Sequence, residues 1–305
     1  MKKKTKAAII ATAAASTAFC AGNFGLAHYI MDAKGLSTDE SLEQQKAFYD
    51  TGFFKEVDRT TFFVKSWDGY RIHAELCRDL KQNADSKKYV ILSHGYNDTR
   101  FGCLKYVKMY LELGYHCVIY DLRGWGDNER DFCTFGIRES RDLACVIDEC
   151  HQRFGNDIIL GLHGESMGAS VSIFALKYRQ VVDFVVSDCG YAEFWPILKR
   201  IIHNKIHLPG FLCFPVSYAT QIRYGYSFRQ MKPIDSLAHN KVPILYLHGS
   251  KDQYILPENS WKMYKATKSY REFHLIPSAG HAQSILADPD RYYALVRLFL
   301  KKIGC

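Results

Sequence analysis

No acidic residue occurs before Asp32, and no stretch of the 305-residue chain repeats or falls into low complexity. The missing repeat, at a period of about 20 to 50 residues, excludes a solenoid or a propeller. A composition of 48% hydrophobic, 14% aromatic and 24% charged residues excludes a disordered, collagenous or coiled-coil chain. The ten cysteines form no CxxC pair and no Cys/His cluster at zinc spacing, so no metal is expected. An Arg-rich stripe is missing too. Of the 40 Lys and Arg residues, Lys2, Lys3, Lys4 and Lys6 precede the first acid, so 36 basic residues face 32 acidic ones beyond it. That excess of +4 within the formal +8 does not describe a nucleic-acid-binding surface.

The N-terminus is informative. Residues 7–31 carry no charge with His28 neutral, and as a helix they would extend about 37 Å, enough for a hydrocarbon core of ~30 Å. Ala, Thr, Ser, Gly and Asn dilute the stretch, and Ala18-Phe19-Cys20 has the small-x-small pattern of a cleavage site. Residues 1–31 are therefore read as a single-pass membrane anchor or as a removable signal peptide, the anchor being favoured. A lipoprotein signal acylated at Cys20 fits less well, because Phe19 stands where a small residue belongs. With the lysines on the cytoplasmic side, the rest of the chain is expected to be extracytoplasmic, held at the cell membrane or secreted after cleavage. Cys117 and Cys189 lie inside apolar runs and read as buried free thiols, and pairing of the others stays open.

Residues 32–58 are polar and read as a juxtamembrane segment with a short helix over 41–49. Two strand-like runs, 61–65 and 71–78, flank an Asp68-Gly69 turn and predict an antiparallel hairpin at one sheet edge. Beyond them, apolar runs at 89–93, 116–120, 158–162, 181–186 and 242–247 alternate with segments of helical period at 104–113, 139–153, 169–179 and 291–301. That alternation predicts an α/β fold with a doubly wound, mostly parallel sheet over residues 59–305. It is broken between 191 and 241, where Trp195, Phe211 and other aromatics crowd into about fifty residues, too many for an ordinary connection. Residues 191–241 read as a small helical lid, with Trp195 and Phe211 as candidate substrate contacts.

The strongest local signal is Gly164-Glu165-Ser166-Met167-Gly168, which follows an apolar run and precedes a helix. A serine on a tight strand-to-helix turn projects its hydroxyl from the sheet, and the flanking glycines let the turn close. Such a serine needs a base, and the base needs an acid to fix its tautomer. Asp252 ends the loop after the run 242–247, and His281 follows the run 273–277; both lie past strand ends, where open α/β sheets place their sites. Asp188, one strand earlier, is the rival acid. His94, His163 and His248 each precede a glycine at a strand end and read as structural. An oxyanion hole is expected from the amides of Met167 and Tyr96, with the Tyr96 phenol as a further donor.

Together His94-Gly95-Tyr96, Asp121-Leu122-Arg123-Gly124-Trp125-Gly126-Asp127, Gly164 to Gly168, His248-Gly249-Ser250-Lys251-Asp252 and Gly280-His281 stand in order and spacing. By these motifs the chain from about residue 60 resembles the α/β-hydrolases. Within them it is similar to bacterial serine-aminopeptidase-like and prolyl-oligopeptidase-like hydrolases with an N-terminal anchor. The resemblance implies Ser166 as nucleophile, His281 as base and Asp252 as acid. Asp127-Asn128 departs from the Ser-Glu of many relatives, in a loop read as a brace. The expected function is a serine hydrolase cleaving an ester, or an amide, of a small molecule through an acyl-enzyme without a cofactor. Two alternatives stay open: a silent fold used as a cell-surface binding module, and an acyltransferase with the same triad.

Overall fold

In the computed structural model, residues 3–204, 207 and 209–305 are described, with side chains from residue 12 onward except residue 13. The signal carried by Lys2, Lys3, Lys4 and Lys6 therefore lies outside the described side chains. The chain divides into two compact units: the N-terminal segment through Ala33 with Phe194–Met231, and Lys34–Glu193 with Lys232–Cys305.

In the smaller unit, α1 (Lys3–Met31) packs along a second helix of the 194–231 segment. Its last turns bury Ala27, Ile30 and Met31, and His28 Nδ1 lies 3.0 Å from Tyr224 Oη. Among the described residues no helix is long and apolar enough to cross a membrane. The membrane anchor or signal peptide expected over residues 1–31 rests largely on side chains outside the described residues.

In the larger unit, α2 (Thr38–Phe48) opens with a reciprocal cap between Ser37 and Glu40. The sheet strands are β1 (Asp58–Lys65), β2 (Arg71–Arg78), β3 (Lys88–Ser93), β4 (His116–Tyr120), β5 (Ile159–Glu165), β6 (Phe184–Asp188), β7 (Ile244–Gly249) and β8 (Arg271–Ile276). Among the described residues these eight form one sheet in the order β1-β2-β4-β3-β5-β6-β7-β8. β1 pairs antiparallel with β2 at the edge expected for the hairpin, β2 pairs antiparallel with β4, and the other pairings are parallel.

Helices α3 (Leu104–Glu112), α4 (Ile137–Phe154) and α5 (Met167–Ala175) complete the first crossovers. Helices α6 (Phe194–Asn204) and α7 (Cys213–Tyr224) belong to the smaller unit, and α7 is the partner of α1. Then α8 (Glu258–Ala266), α9 (Ser284–Ala287) and α10 (Pro289–Ile303) finish the chain. Alternate strand residues Val90, Leu92, Cys117, Ile119, Val186, Leu245 and Leu247 face α3 and α10 in one buried cluster with Tyr106, Tyr110, Val296 and Phe299. Each such burial contributes roughly 1.5–3 kcal/mol, and β4, β6 and β7 are buried along their whole length. Cys117 and Cys189 are buried and unpaired, as expected.

Candidate active site

Ser166 stands between β5 and α5 with φ 54° and ψ −116°, a backbone state that costs a non-glycine residue of order 1–3 kcal/mol. The turn holds because its neighbours leave no room to relax. A Cβ on Gly164 would come within 2.2 Å of the Gly168 carbonyl oxygen, and one on Gly168 within 2.1 Å of that of Ser93. The Ser166 amide donates to Asp188 O at 2.8 Å, tying the elbow to β6. Met167 is the first residue of α5, where amides have no intrahelical acceptor, and its own side chain is buried. On the other side, a Cβ on Gly95 would stand 3.6 Å from Ser166 Cβ, so the turn leading to Tyr96 runs beside the serine. The half-buried Tyr96 ring stacks on Phe135 at 5.2 Å and meets Trp125 edge-on at 5.1 Å.

The loops after β7 and β8 bring the two other expected residues to Ser166. Ser166 Oγ lies 2.8 Å from His281 Nε2, and His281 Nδ1 lies 2.7 Å from Asp252 Oδ2. Since a carboxylate only accepts, His281 carries its proton on Nδ1 and offers the Nε2 lone pair to the serine hydroxyl. Asp252 Oδ1 accepts from the amides of Tyr254 at 2.8 Å and Ile255 at 2.9 Å. Burial works against the charged carboxylate, but hydrogen bonds from His248 and His281 outweigh it and hold Asp252 below the usual carboxylate range.

His248 is more than a turn residue. Its Nε2 lies 3.2 Å from Asp252 Oδ2 and 2.8 Å from Ile255 O, and its Nδ1 is 2.7 Å from Ser260 Oγ. The four-residue step from His248 to Asp252 is visible in the sequence, but the turn that lets it close is not. His94 and His163 take roles in the frame. His94 Nε2 accepts from the Leu122 amide at 2.9 Å, so its Nδ1 donates to Gly95 O at 2.8 Å, and burial pushes its pKa down. His163 sits between the Tyr110 and Tyr292 hydroxyls, with burial and then Lys105 pushing it down to about 3.

The sequence reasoning missed a buried polar network under the site. Lys105 Nζ pairs with Glu165, the residue before Ser166, and donates to the carbonyl of Ala282, the residue after His281, at 3.1 Å. Burial opposes the Lys105 charge, and Glu165 beside it prevails, so the ammonium is held protonated. Ala282 has φ 58°, a left-handed state that this donor helps to hold. Asp188 accepts from Ser284 Oγ at 2.8 Å and from Tyr106 Oη at 3.2 Å, while Tyr106 also donates to Glu165 at 2.6 Å. Burial, and then the Glu165 charge, push Asp188 up to about 6. The rival acid thus bonds to the histidine loop through Ser284, and the partner of His281 Nδ1 is Asp252.

Among the described residues, two clusters carry metal-ligating residue types. His73, Asp121 and Asp127 are crossed by Arg100, whose guanidinium bonds Asp121 at 2.6 Å and Asp127 at 2.7 Å. Cys189 joins Asp252 and His281, which are already bonded to each other.

Across 83% of the chain the backbone matches the esterase Pf2001 of Pyrococcus furiosus, with TM-score 0.68, 21% identity and 96% of that chain covered. The fold is that of the α/β-hydrolases. Residues 84–194 match the serine aminopeptidase, S33 family. In sequence the chain is similar to protein YqkD of Bacillus subtilis, 26% identical over 310 residues and 98% of both chains. It is also similar to the lysophosphatidylserine lipase ABHD12 of Rattus norvegicus, 25% identical over 235 residues, 72% of this chain and 57% of that one.

Other features of the hydrolase fold follow from its charges. The loop at Asp121 is a brace, as expected: Arg123 is gripped by Asp142 at 2.6 Å and Asp68 at 3.0 Å, and Asn128 donates to Asp121 O at 2.7 Å. In the smaller unit, Trp195 is half-buried and meets Phe214 edge-on at 5.2 Å, while Phe211 is exposed.

Proposed function

We propose that this chain is a serine hydrolase that cleaves a carboxylic ester, and admits an amide, through an acyl-enzyme. The observation that carries the reading is the continuous relay from Ser166 Oγ through His281 to Asp252, at 2.8 and 2.7 Å, on a strained elbow. His281 Nε2 takes the hydroxyl proton as Ser166 Oγ bonds to the carbonyl carbon, and Asp252 stabilises the imidazolium. The amides of Met167 and Tyr96 receive the oxyanion, each worth about 10²–10³ in turnover. The ester bond breaks as His281 returns the proton to the departing alkoxide. Water then repeats the sequence on the acyl-enzyme and frees the acid. The steps use only side chains and amides of the chain.

Similarity to the lysophosphatidylserine lipase makes a lysophospholipid the first natural ester to try, and the S33 family description does the same for aminoacyl amides. A fluorophosphonate probe should label the wild type and not Ser166→Ala. A panel of p-nitrophenyl esters, lysophospholipids and aminoacyl amides then ranks the substrate classes. An unlabelled wild type would favour the silent binding module. Product carrying a second alcohol in place of free acid would favour acyl transfer. Export of the chain rests on its basic start: a C-terminal reporter reached from outside the cell supports it, and one confined to the cytosol ends it.

A further inference from the structure

The charge of the molecule is divided unevenly. The smaller unit holds nine of the Lys and Arg residues and a single acid, Asp32, so it carries +8, while the larger unit has 31 of each sign and carries none. The segment Phe194–Met231 contains five basic residues and no acid. On α7 the residues Cys213, Val216, Ala219 and Thr220 are buried, and Phe214, Tyr218 and Ile222 are 48%, 69% and 59% exposed. Those three recur at every fourth position and therefore form one stripe along the helix. Arg229 and Lys199 lie 5.1 and 5.8 Å from the Phe214 ring, and Arg223 is exposed on α7 itself.

We propose that this face of α7 docks on an anionic lipid surface, the stripe entering the acyl boundary and the basic residues meeting the headgroups. A helix with an apolar stripe and a cationic rim lies in the plane of a membrane surface, so the contact made by α7 is superficial. Charge complementarity selects the occupant. A second copy of the unit would bring +8 against +8, and a nucleic acid offers no apolar layer for Ile222 and Tyr218. The docking stands apart from the reaction proposed above and is read by binding alone.

The test is flotation of the full chain with phosphatidylcholine vesicles, with and without phosphatidylglycerol. The wild type is expected to float with the anionic vesicles and to be released by salt. Lys199→Gln and Arg223→Gln should each lower partition about fivefold, and the pair Tyr218→Glu, Ile222→Glu should abolish it. Circular dichroism melts check folding, with Tyr218→Ser, Ile222→Ser as the milder pair if the acidic one fails. Equal flotation with neutral vesicles, no flotation of the wild type, or wild-type flotation by the folded α7 variants would each overturn the proposal.

Discussion

Replacing Asp252 by Asn tests the proposed relay most sharply, because every hydrogen bond the carboxylate makes is one it accepts. Oδ1 takes the amides of Tyr254 and Ile255, and Oδ2 takes His281 Nδ1 and His248 Nε2. An Asn side chain has one acceptor and one donor end. Two backbone donors that cannot turn away keep its oxygen on the Oδ1 side, so its NH₂ group faces His281. The imidazole then shifts its proton to Nε2 and presents N–H to Ser166, where a lone pair is needed. Loss of the tautomer should lower kcat by about 10⁴, equivalent to about 5.5 kcal/mol, with KM little changed. The volume is conserved, so the melting temperature should move far less than the rate. Steady-state hydrolysis of p-nitrophenyl butyrate, with calorimetry of the same samples, measures both. A variant within tenfold of wild type would refute the reasoning, and an inactive Asp188→Asn beside an active Asp252→Asn would transfer the role to Asp188.

Lys105→Met should cost about 3–5 kcal/mol in urea unfolding because it leaves Glu165 buried without its partner. The double variant with Glu165→Met should regain stability but not kcat, since the Ala282 carbonyl has still lost its donor; wild-type turnover in either would dismiss a positioning role for Lys105. Asp188 holds its proton up to about 6, whereas an unfolded Asp releases it near 3.9, so the stability this group contributes is complete below pH 4 and is lost as pH rises through 6. The melting temperature of the wild type relative to Asp188→Asn should therefore fall between pH 4 and 7, and parallel curves would contradict the assignment. Trp195→Ala and Phe211→Ala should alter the preference among acyl chains from acetate to octanoate more than the rate on acetate, because each buried methylene gains about 0.8 kcal/mol. A uniform loss over all lengths would place both residues in the support of the fold.

Much of the architecture was legible in the chain because it rests on local patterns. Runs such as 117–120 and 242–247, apolar throughout, mark strands covered on both faces, and Asp68-Gly69 marks the edge hairpin. The glycines at 164 and 168 announce a turn too tight for side chains, and the structure gives the backbone atoms they avoid. Ser166, Asp252 and His281 were reachable because each follows a strand of recognisable pattern. The N-terminal stretch is read from composition alone, since residues 7–31 carry no charge, whereas the packing of α1 on α7 is a tertiary contact that composition does not announce. The bonds of Lys105 to Glu165 and Ala282 had no signal in the sequence. Lys105 and Ala282 are 177 residues apart, and no periodicity or turn rule relates them. Such pairs form where strands distant in the chain become neighbours in the sheet, and burial then requires each polar group there to find a partner.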